Sequence, residues 1–366
     1  MKKNKGFTLV ELIAVITLLS LIVLVSVPVI INTLSNSEQK EYEKFEQMIE
    51  NAAELYLERN RDLYPNFAEI GDVIDINAEI LIDEGYLKGD LADPIDNNNV
   101  SKYKVVISIE NDEILEYQIV KRMVLSELAT TTDEIKSINS CAISGICPNG
   151  TEFALQVNDK EIYNFYVIND DGNKVTLIMD RNIGNTVAWL SENDYNNIEN
   201  YARLIATSTT NYGPITALNY LNNQTLNWTN IEAINNYTYN NNPNGTTNTN
   251  GYQKLEIVNG VGTLTSQDGL FISKVNKISR ARLLEYEEVN KIYTENNSVM
   301  PTYLYENLYT DTNTSLPYAY WFLTSDRVIS SYSYVIDYIG TFENSYGVNL
   351  DTDVGVRPVI TVSRSL

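Results

Sequence analysis

The chain contains no histidine, and its 366 residues include only two cysteines. Histidine is the commonest general base and a frequent metal ligand, so its absence excludes a Ser-His-Asp hydrolase and makes a zinc site improbable. Two thiolates alone leave the coordination sphere of zinc half empty. We therefore expect no metal, no cofactor and no enzymatic activity. A pair of carboxylates of the glycosidase type remains open, but no spacing singles one out.

Basic residues are also scarce, with 26 Lys and Arg against 48 Asp and Glu, so the formal net charge is −22 at pH 7. A surface of this sign repels phosphate backbones, and we expect no direct binding of nucleic acid. Tyrosine, by contrast, occurs 26 times. Two explanations of this abundance remain open. One is AT-rich coding bias together with an extracellular surface, and the other is a polar aromatic contact face.

One long apolar segment lies near the N-terminus. Lys2, Lys3 and Lys5 precede it, and residues 12–31 contain no charged side chain. A helix of about 20 residues spans roughly 30 Å, which is the thickness of a bilayer core. Lysines that flank such a segment stay in the cytoplasm. The sequence therefore predicts a single membrane-spanning helix, with the N-terminus in the cytoplasm and the rest of the chain outside.

The start of this segment differs from an ordinary secretory signal. The apolar run is longer than the usual stretch of about 7–15 residues, and no small-x-small cleavage site follows it. A lone carboxylate beside hydrocarbon is costly and indicates a function. The carboxylate belongs to a motif that resembles the processing site of type IV pilins and type II secretion pseudopilins, Gly6-Phe7-Thr8-Leu9-Val10-Glu11-Leu12.

This resemblance implies that prepilin peptidase cleaves after Gly6 and that Phe7 is then N-methylated. It also implies that Glu11 pairs with the amino group of Phe7 on a neighbouring subunit, because two ions among apolar helices are tolerable only as a pair. The expected partners are thus the peptidase and other pilin or pseudopilin subunits. The alternative is a plain signal-anchor helix with an accidental glutamate.

The resemblance covers residues 1–122 and predicts an α+β fold. Residues 1–6 form the leader, and a long helix over 7–61, kinked at Pro28, packs on a small antiparallel sheet. The sheet contains a β-hairpin of residues 103–109 and 114–120. A connector over 123–150 follows, partly helical at 124–128 and 135–138. After export, its cysteines Cys141 and Cys147 are expected to form a disulfide.

A second, larger domain is predicted over residues 151–366. Its local patterns predict a hairpin of 161–167 and 174–180, and a helix that starts near Pro214. They also predict an exposed loop at 235–250, a helix at 278–289 and a terminal strand around 354–362.

Several short sequence segments of this domain resemble those of exported C-type-lectin-like domains related to the formylglycine-generating-enzyme fold. They are Gly213–Leu221, Asn227-Trp228, Ala281-Arg282, Tyr320–Ser325 and Gly355–Ile360. The oxidising enzymes of that superfamily use active-site cysteines, which this domain lacks. Alternatively, the segment Gly355–Ile360 is simply a terminal core strand, as any α+β domain could contain.

The second resemblance implies roles for particular residues. Arg357 would be structural and would bridge a buried carboxylate. The stretch between Trp321 and Gly355 would form an exposed ligand face of the Tyr/Ser type, with five candidate residues: Trp321, Tyr332, Tyr334, Tyr338 and Tyr346. Ordinary packing with solvated loops is the alternative for these residues.

Oxygen-bearing side chains alternate at 311–315 and at 351–355, but neither stretch has the EF-hand spacing. Acidic surface turns explain both equally well, and we expect no calcium site there.

Three functional hypotheses follow. The first is a minor or tip-like pilin subunit that presents an extracellular adhesion domain for a glycan or a protein. The second is a pseudopilin of a type II secretion or DNA-uptake machine. The third is a surface-displayed enzyme, such as a glycosidase. All three place the chain first in the membrane and then on the cell surface or in a filament.

Overall fold

A computed structural model describes residues 37–111, 114–130, 140–206, 212–241, 252–266, 268–308, 319–325, 332–347 and 353–366. Four residues of the predicted assembly segment, Gly6, Phe7, Glu11 and Pro28, lie outside these ranges. Within the ranges, no helix is long and apolar enough to cross a bilayer.

The N-terminal part is a helix on a three-stranded sheet. Helix α1 covers residues 37–59, and a side-chain stripe at helical spacing is buried, namely Phe45, Ile49, Ala52, Ala53 and Tyr56. The stripe packs on β1 (Val73–Asn77) and β2 (Tyr103–Asn111), and β3 (Ile114–Lys121) completes the antiparallel order β1-β2-β3. A short helix, α2 (Ala78–Asp83), follows β1. The predicted hairpin is confirmed as β2 and β3.

The connector joins the core of the second part. It contains α3 (Leu125–Leu128) and α4 (Ser140–Ile143), whereas the predicted helical segment at 135–138 lies outside the described residues. The predicted disulfide between Cys141 and Cys147 is confirmed. Leu125, Leu128 and Cys147 are buried in the same hydrophobic cluster as the strands that follow. The segment is therefore an integral layer of the larger core.

The remaining elements follow in chain order: β4 (Glu152–Gln156), β5 (Ile162–Asp170), β6 (Lys174–Met179), β7 (Val187–Ala188), α5 (Glu192–Asn196), α6 (Tyr201–Ala206), α7 (Ile215–Thr225), β8 (Tyr237–Asn240), β9 (Tyr252–Val258), β10 (Val261–Ser266), β11 (Phe271–Lys274), α8 (Tyr286–Glu295), β12 (Tyr320–Ser325), β13 (Tyr332–Ile336), β14 (Phe342–Gly347), β15 (Asp353–Val354) and β16 (Val359–Ser363).

These strands form several small antiparallel sheets around one core. Their orders are β16-β6-β5-β4, β11-β10-β9-β8, β12-β13-β14 and β15-β7. The core contains Trp189, Trp228 and Trp321, all fully or almost fully buried. The β5–β6 hairpin, the helix start after Pro214 and the terminal strand, all predicted from local patterns, are confirmed.

Two local predictions are wrong. Residues 278–285 are not helical, and α8 begins only at Tyr286. The backbone of Arg282 instead exchanges two hydrogen bonds of 2.9 Å with Val359, and almost all side chains from Ile278 to Leu284 are buried. Because the stretch from Ile278 to Leu284 is buried on all sides, it has no solvent-facing polar face. The amphipathic pattern that predicted a helix there was therefore misleading.

The predicted loop at 235–250 is also partly wrong. Tyr237–Asn240 form β8, which pairs with β9, and the side chain of Tyr239 is buried in the core. Pairing with β9 provides partners for the backbone that the Asn-rich composition did not indicate. Residues 242–250 lie outside the described ranges.

A buried ionic cluster joins the two parts of the molecule. Asp75 of β1 accepts hydrogen bonds from both terminal nitrogens of Arg280, at 2.7 and 2.6 Å, and from Lys104 Nζ at 2.7 Å. The side chains of Lys104 and Arg280 are completely buried. Both cations also donate to the backbone oxygen of Ile231. We call Asp75, Lys104 and Arg280 the junction cluster.

Flanking contacts surround the junction cluster. Lys277 pairs with Asp72, and Arg122 Nε lies 2.6 Å from Glu232 Oε1. Asn66 Nδ2 donates to the backbone oxygen of Val275 at 2.7 Å. The face of the sheet opposite α1 is therefore held against the C-terminal part by directional bonds, which fix the orientation of one part relative to the other.

The electrostatics of the cluster follow from this geometry. Burial opposes the charge of Asp75, but Arg280 and Lys104 outweigh it and lower the pKa of Asp75 to about 2. Burial lowers the pKa of Lys104 to about 8, although Asp75 opposes the shift. Near neutral pH the cluster therefore contains one carboxylate and two cations.

We expect Asp75→Asn to destabilise the protein by about 3–5 kcal/mol at pH 7, because two buried cations lose their carboxylate. The folded-state pKa of Asp75 is depressed, so its contribution is present above about pH 4 and is lost as the pH falls towards 2. The difference between wild type and variant should therefore shrink over that window. Urea unfolding of the full-length chain in detergent micelles between pH 7 and pH 2 measures both effects.

Lys254→Ala is the matched control for this prediction. Its pair with Glu256 is exposed, so the expected cost is at most about 1 kcal/mol. Equal stability of Asp75→Asn and wild type at pH 7 would contradict the assigned role of the junction cluster.

Candidate functional site

Three aromatic rings are in mutual contact, two on the β12-β13-β14 sheet and one at the start of α8. The ring centroids of Tyr286 and Tyr334 are 4.6 Å apart, and that of Phe342 lies 5.1 Å from Tyr286 and 5.4 Å from Tyr334. All three side chains are half-buried, so one side of each packs and another side remains accessible. We call these rings, together with Tyr338 in the adjoining turn, the aromatic face.

The alternation of β13 positions this surface. Tyr332 and Tyr334 are half-buried, whereas Ser333 and Val335 between them are completely buried. Ser333 Oγ donates to the backbone oxygen of Thr324 at 3.1 Å. Because strand side chains alternate between two faces, the two tyrosines lie on the face opposite Ser333 and Val335. Tyr334 and Phe342 pack there against the cluster that contains Phe322 and the buried Ile336, so this face is only partly open.

A tight turn presents the most exposed part of the aromatic face. Asp337 Oδ1 accepts hydrogen bonds from the backbone N–H of Ile339 at 3.0 Å and of Thr341 at 2.8 Å. Gly340 has φ +79°, and a Cβ there would lie 2.7 Å from the ring of Tyr305. Only glycine fits this position. The turn leaves Tyr338 57% and Ile339 65% exposed.

A second polar cluster lies beside Tyr286, at the start of α8. Arg282 Nη1 donates to Glu288 Oε2 at 2.8 Å, and Tyr237 OH donates to Glu285 Oε1 at 2.5 Å. Glu285 and Glu288 also form the capping box of α8. Burial raises the pKa of Glu285, which Arg282 opposes. The carboxylates are thus held by Arg282 and by the end of the helix.

Trp321 does not belong to the predicted ligand face. Its side chain is completely buried, and its Nε1 donates to the backbone oxygen of Val187 at 2.8 Å. The prediction for this residue is wrong because the strand containing it runs through the core.

Two other candidate residues lie on neighbouring strands. Tyr332 pairs with Gly347, and Tyr346 lies opposite Ser333 in the backbone register. The side chain of Tyr346 is outside what the structure describes.

Arg357 is completely buried, but the partner inferred for it is wrong. Its guanidinium donates to three backbone oxygens, those of Met179 at 2.6 Å, Leu304 at 2.7 Å and Tyr303 at 2.7 Å. It also lies 5.1 Å from the ring centroid of Tyr320. Three carbonyls and one ring satisfy the cation here, in place of the expected carboxylate, and burial lowers the pKa of Arg357.

Sequence reasoning missed Tyr286 as a neighbour of the aromatic face. The residue was placed inside a predicted helix over 278–289, whereas it is the first residue of α8 and its N–H bonds to Thr324 Oγ1 at 3.0 Å. The ring contact between Tyr286 and Tyr334 joins residues far apart in the chain. No local pattern in the sequence indicates it.

Across the part of the chain that the structure describes, no group of three or more Cys, Asp or Glu side chains is placed to hold a metal ion. The stretch 311–315 and residues 351–352 lie outside that part.

Comparison with known proteins bears on the N-terminal segment. Residues 1–27 match the family model of the prokaryotic N-terminal methylation motif. The matched segment contains Gly6, Phe7 and Glu11. The match supports a type IV pilin-like protein that prepilin peptidase processes and that assembles with other pilins, anchored in the membrane and then exposed at the surface. No curated protein and no solved structure matches the chain.

We expect Trp321→Ala to lower the free energy of unfolding by about 3–5 kcal/mol, because it empties a buried site. Tyr338→Ala should change this free energy by less than about 0.5 kcal/mol, because the side chain is largely exposed. Urea unfolding of both full-length variants in detergent tests the pair. A similar loss in both variants would show that Tyr338 is structural and does not belong to an open surface.

Proposed function

We propose that this chain is a minor or tip-like subunit of a type IV pilus-like filament and that its C-terminal part is an extracellular binding domain. The observation that carries the proposal is the methylation motif at residues 1–27, which lies in the same chain as a large domain with a partly exposed aromatic face. We further propose that the protein is not an enzyme.

The N-terminal segment supports assembly. After cleavage behind Gly6, the new amino group of Phe7 carries a positive charge, and Glu11 follows within about one helical turn. Both charges are costly among apolar helices, and pairing between neighbouring subunits offsets that cost. Helix α1 follows this segment in the chain and packs on the sheet, so a subunit held by this segment would present everything beyond α1 outside the membrane.

The C-terminal part supports binding. Tyrosine rings offer a rigid apolar surface with a polar edge, which suits recognition of glycans and proteins at low conformational cost. Three ring centroids within 5.4 Å of one another form such a surface. The junction cluster fixes the orientation of the C-terminal part, which contains these rings. We propose an extracellular glycan as the ligand, with a protein ligand as the alternative.

One observation favours the pseudopilin alternative, in which the chain works in a secretion or DNA-uptake machine. A groove of about 520 Å³ lies beside α1 and is lined by Met48, Tyr86, Leu87 and Leu91 among others. Met48 is 45% exposed. An apolar groove on α1, which follows the assembly segment in the chain, suits contact with a partner subunit.

The enzyme alternative has less support. Glu285 and Glu288 are two neighbouring carboxylates, and the pKa of Glu285 is raised by burial. However, both are engaged by Arg282 and by the capping box of α8. A glycosidase needs one carboxyl group that can donate a proton and another that is free to act on the sugar or on water.

We expect mass spectrometry of the sheared surface fraction to find a peptide that begins at N-methylated Phe7. Glu11→Ala should still be cleaved but should be lost from the sheared fraction, because the amino group of Phe7 then has no partner. Ser20→Ala, a polar position in the same apolar run, is the control and should assemble normally. An intact Met1 found only in membranes would contradict assembly and would indicate a membrane-tethered binding protein.

We expect Tyr334→Ala and Tyr338→Ala to weaken glycan binding by about 1–2 kcal/mol each, or roughly tenfold in Kd, because the rings form the contact surface. Binding of the full-length protein to an immobilised glycan array measures this. Ile95→Ala, an exposed apolar position in the N-terminal part, should bind as wild type does. Glycan binding that is unchanged in both tyrosine variants would place the ligand elsewhere.

A further inference from the structure

Strand β16 is the edge of its sheet and pairs with β6 on one side only. The backbone oxygen of Pro358 accepts from Met179, and the N–H of Arg364 donates to the oxygen of Asn173. In an antiparallel pair, the backbone groups of successive residues point alternately towards and away from the partner strand. The even-numbered positions 358–364 therefore face β6, and positions 359, 361 and 363 face away from it.

The outer edge of β16 is only partly covered. At Val359 the outward N–H and C=O exchange both hydrogen bonds with Arg282, in an antiparallel bridge. This bridge is isolated, so the chain before Arg282 does not continue the pairing along β16. The outward backbone groups of Thr361 and Ser363 have no hydrogen-bond partner among the residues that the structure describes.

These two residues line a cleft of about 250 Å³. Residues 232–237 form its opposite wall, ending at the first residue of β8, which is itself the edge strand of its sheet. Lys174 contributes to the lining next to Ser363. Unpaired N–H and C=O groups on a strand edge are a template for another chain, and proteins usually cover or block them.

We propose that this cleft binds an extended segment of a partner polypeptide, which adds as an antiparallel strand to β16. The segment continues the pairing that Arg282 begins at Val359 and bonds to the backbone groups of Thr361 and Ser363. Strand addition of this kind obtains its affinity from the main chain and its specificity from the side chains that fit the walls. Lys174 favours an acidic or neutral side chain at the Ser363 end. The site is separate from the aromatic face and does not depend on the proposed ligand.

The test uses the full-length protein in detergent and a phage-displayed library of peptides of about seven residues, a usual strand length. Thr361→Pro removes the outward N–H without disturbing the bonds to β6, because proline is tolerated where the N–H of an edge strand faces outwards. Thr361→Ala changes the side chain and keeps the N–H. We expect selected peptides to bind wild type and Thr361→Ala equally and Thr361→Pro at least about tenfold more weakly.

Hydrogen exchange provides a second readout. A bound peptide should slow amide exchange at Thr361 and Ser363, since both amides become hydrogen-bonded. A lack of enriched peptides, equal binding to Thr361→Pro, or unchanged exchange at these amides would each overturn the proposal. If Thr361→Pro does not keep the wild-type unfolding midpoint, Ser363→Pro replaces it, because the N–H of Ser363 also faces outwards.

Discussion

The arrangement of the whole molecule depends on one buried carboxylate. Asp75 lies between Lys104 and Arg280, and each of the two cations is completely buried. Charges in such a position are tolerable only when they are paired and fully hydrogen-bonded, and removal of one partner leaves the others stranded. The backbone oxygen of Ile231 provides an additional acceptor for both cations. An ionic contact of this kind has few alternative geometries, so it specifies how the two parts meet.

The junction also explains why strand β2 is buried on both faces. Val105 and Ile107 point to α1 and belong to the core beneath it, whereas Lys104 and Val106 are buried on the opposite side. A sheet with one helix on one face ordinarily exposes its other face to water. Here the C-terminal part covers that face. Helix α1 is therefore connected to the C-terminal part through one sheet and one ionic contact.

Local chemistry accounts for what could be predicted from the sequence. The β2–β3 and β5–β6 hairpins have alternating side chains around polar turns, and Cys141 and Cys147 are close enough in the chain to pair in an oxidising compartment. The prediction of a helix over 278–289 was wrong for residues 278–285, because Arg280 and Arg282, which gave the stretch an apparent polar face, are buried in ion pairs. Trp321 was assigned to a ligand face for a related reason, since an aromatic residue in a strand serves a core and a contact surface equally well.

The sequence by itself determined the absence of histidine chemistry, which is a matter of composition. It also determined the processing motif, the hairpins and the disulfide, because each of these depends on residues that are close together in the chain. Only the tertiary structure decided that Asp75 meets Arg280, which lies 205 positions later. It also decided that Arg357 bonds to carbonyls and that Tyr286 joins the aromatic face. Contacts over such separations depend on how whole sheets pack, and packing follows from the shape and burial of many side chains together and leaves no local pattern to read.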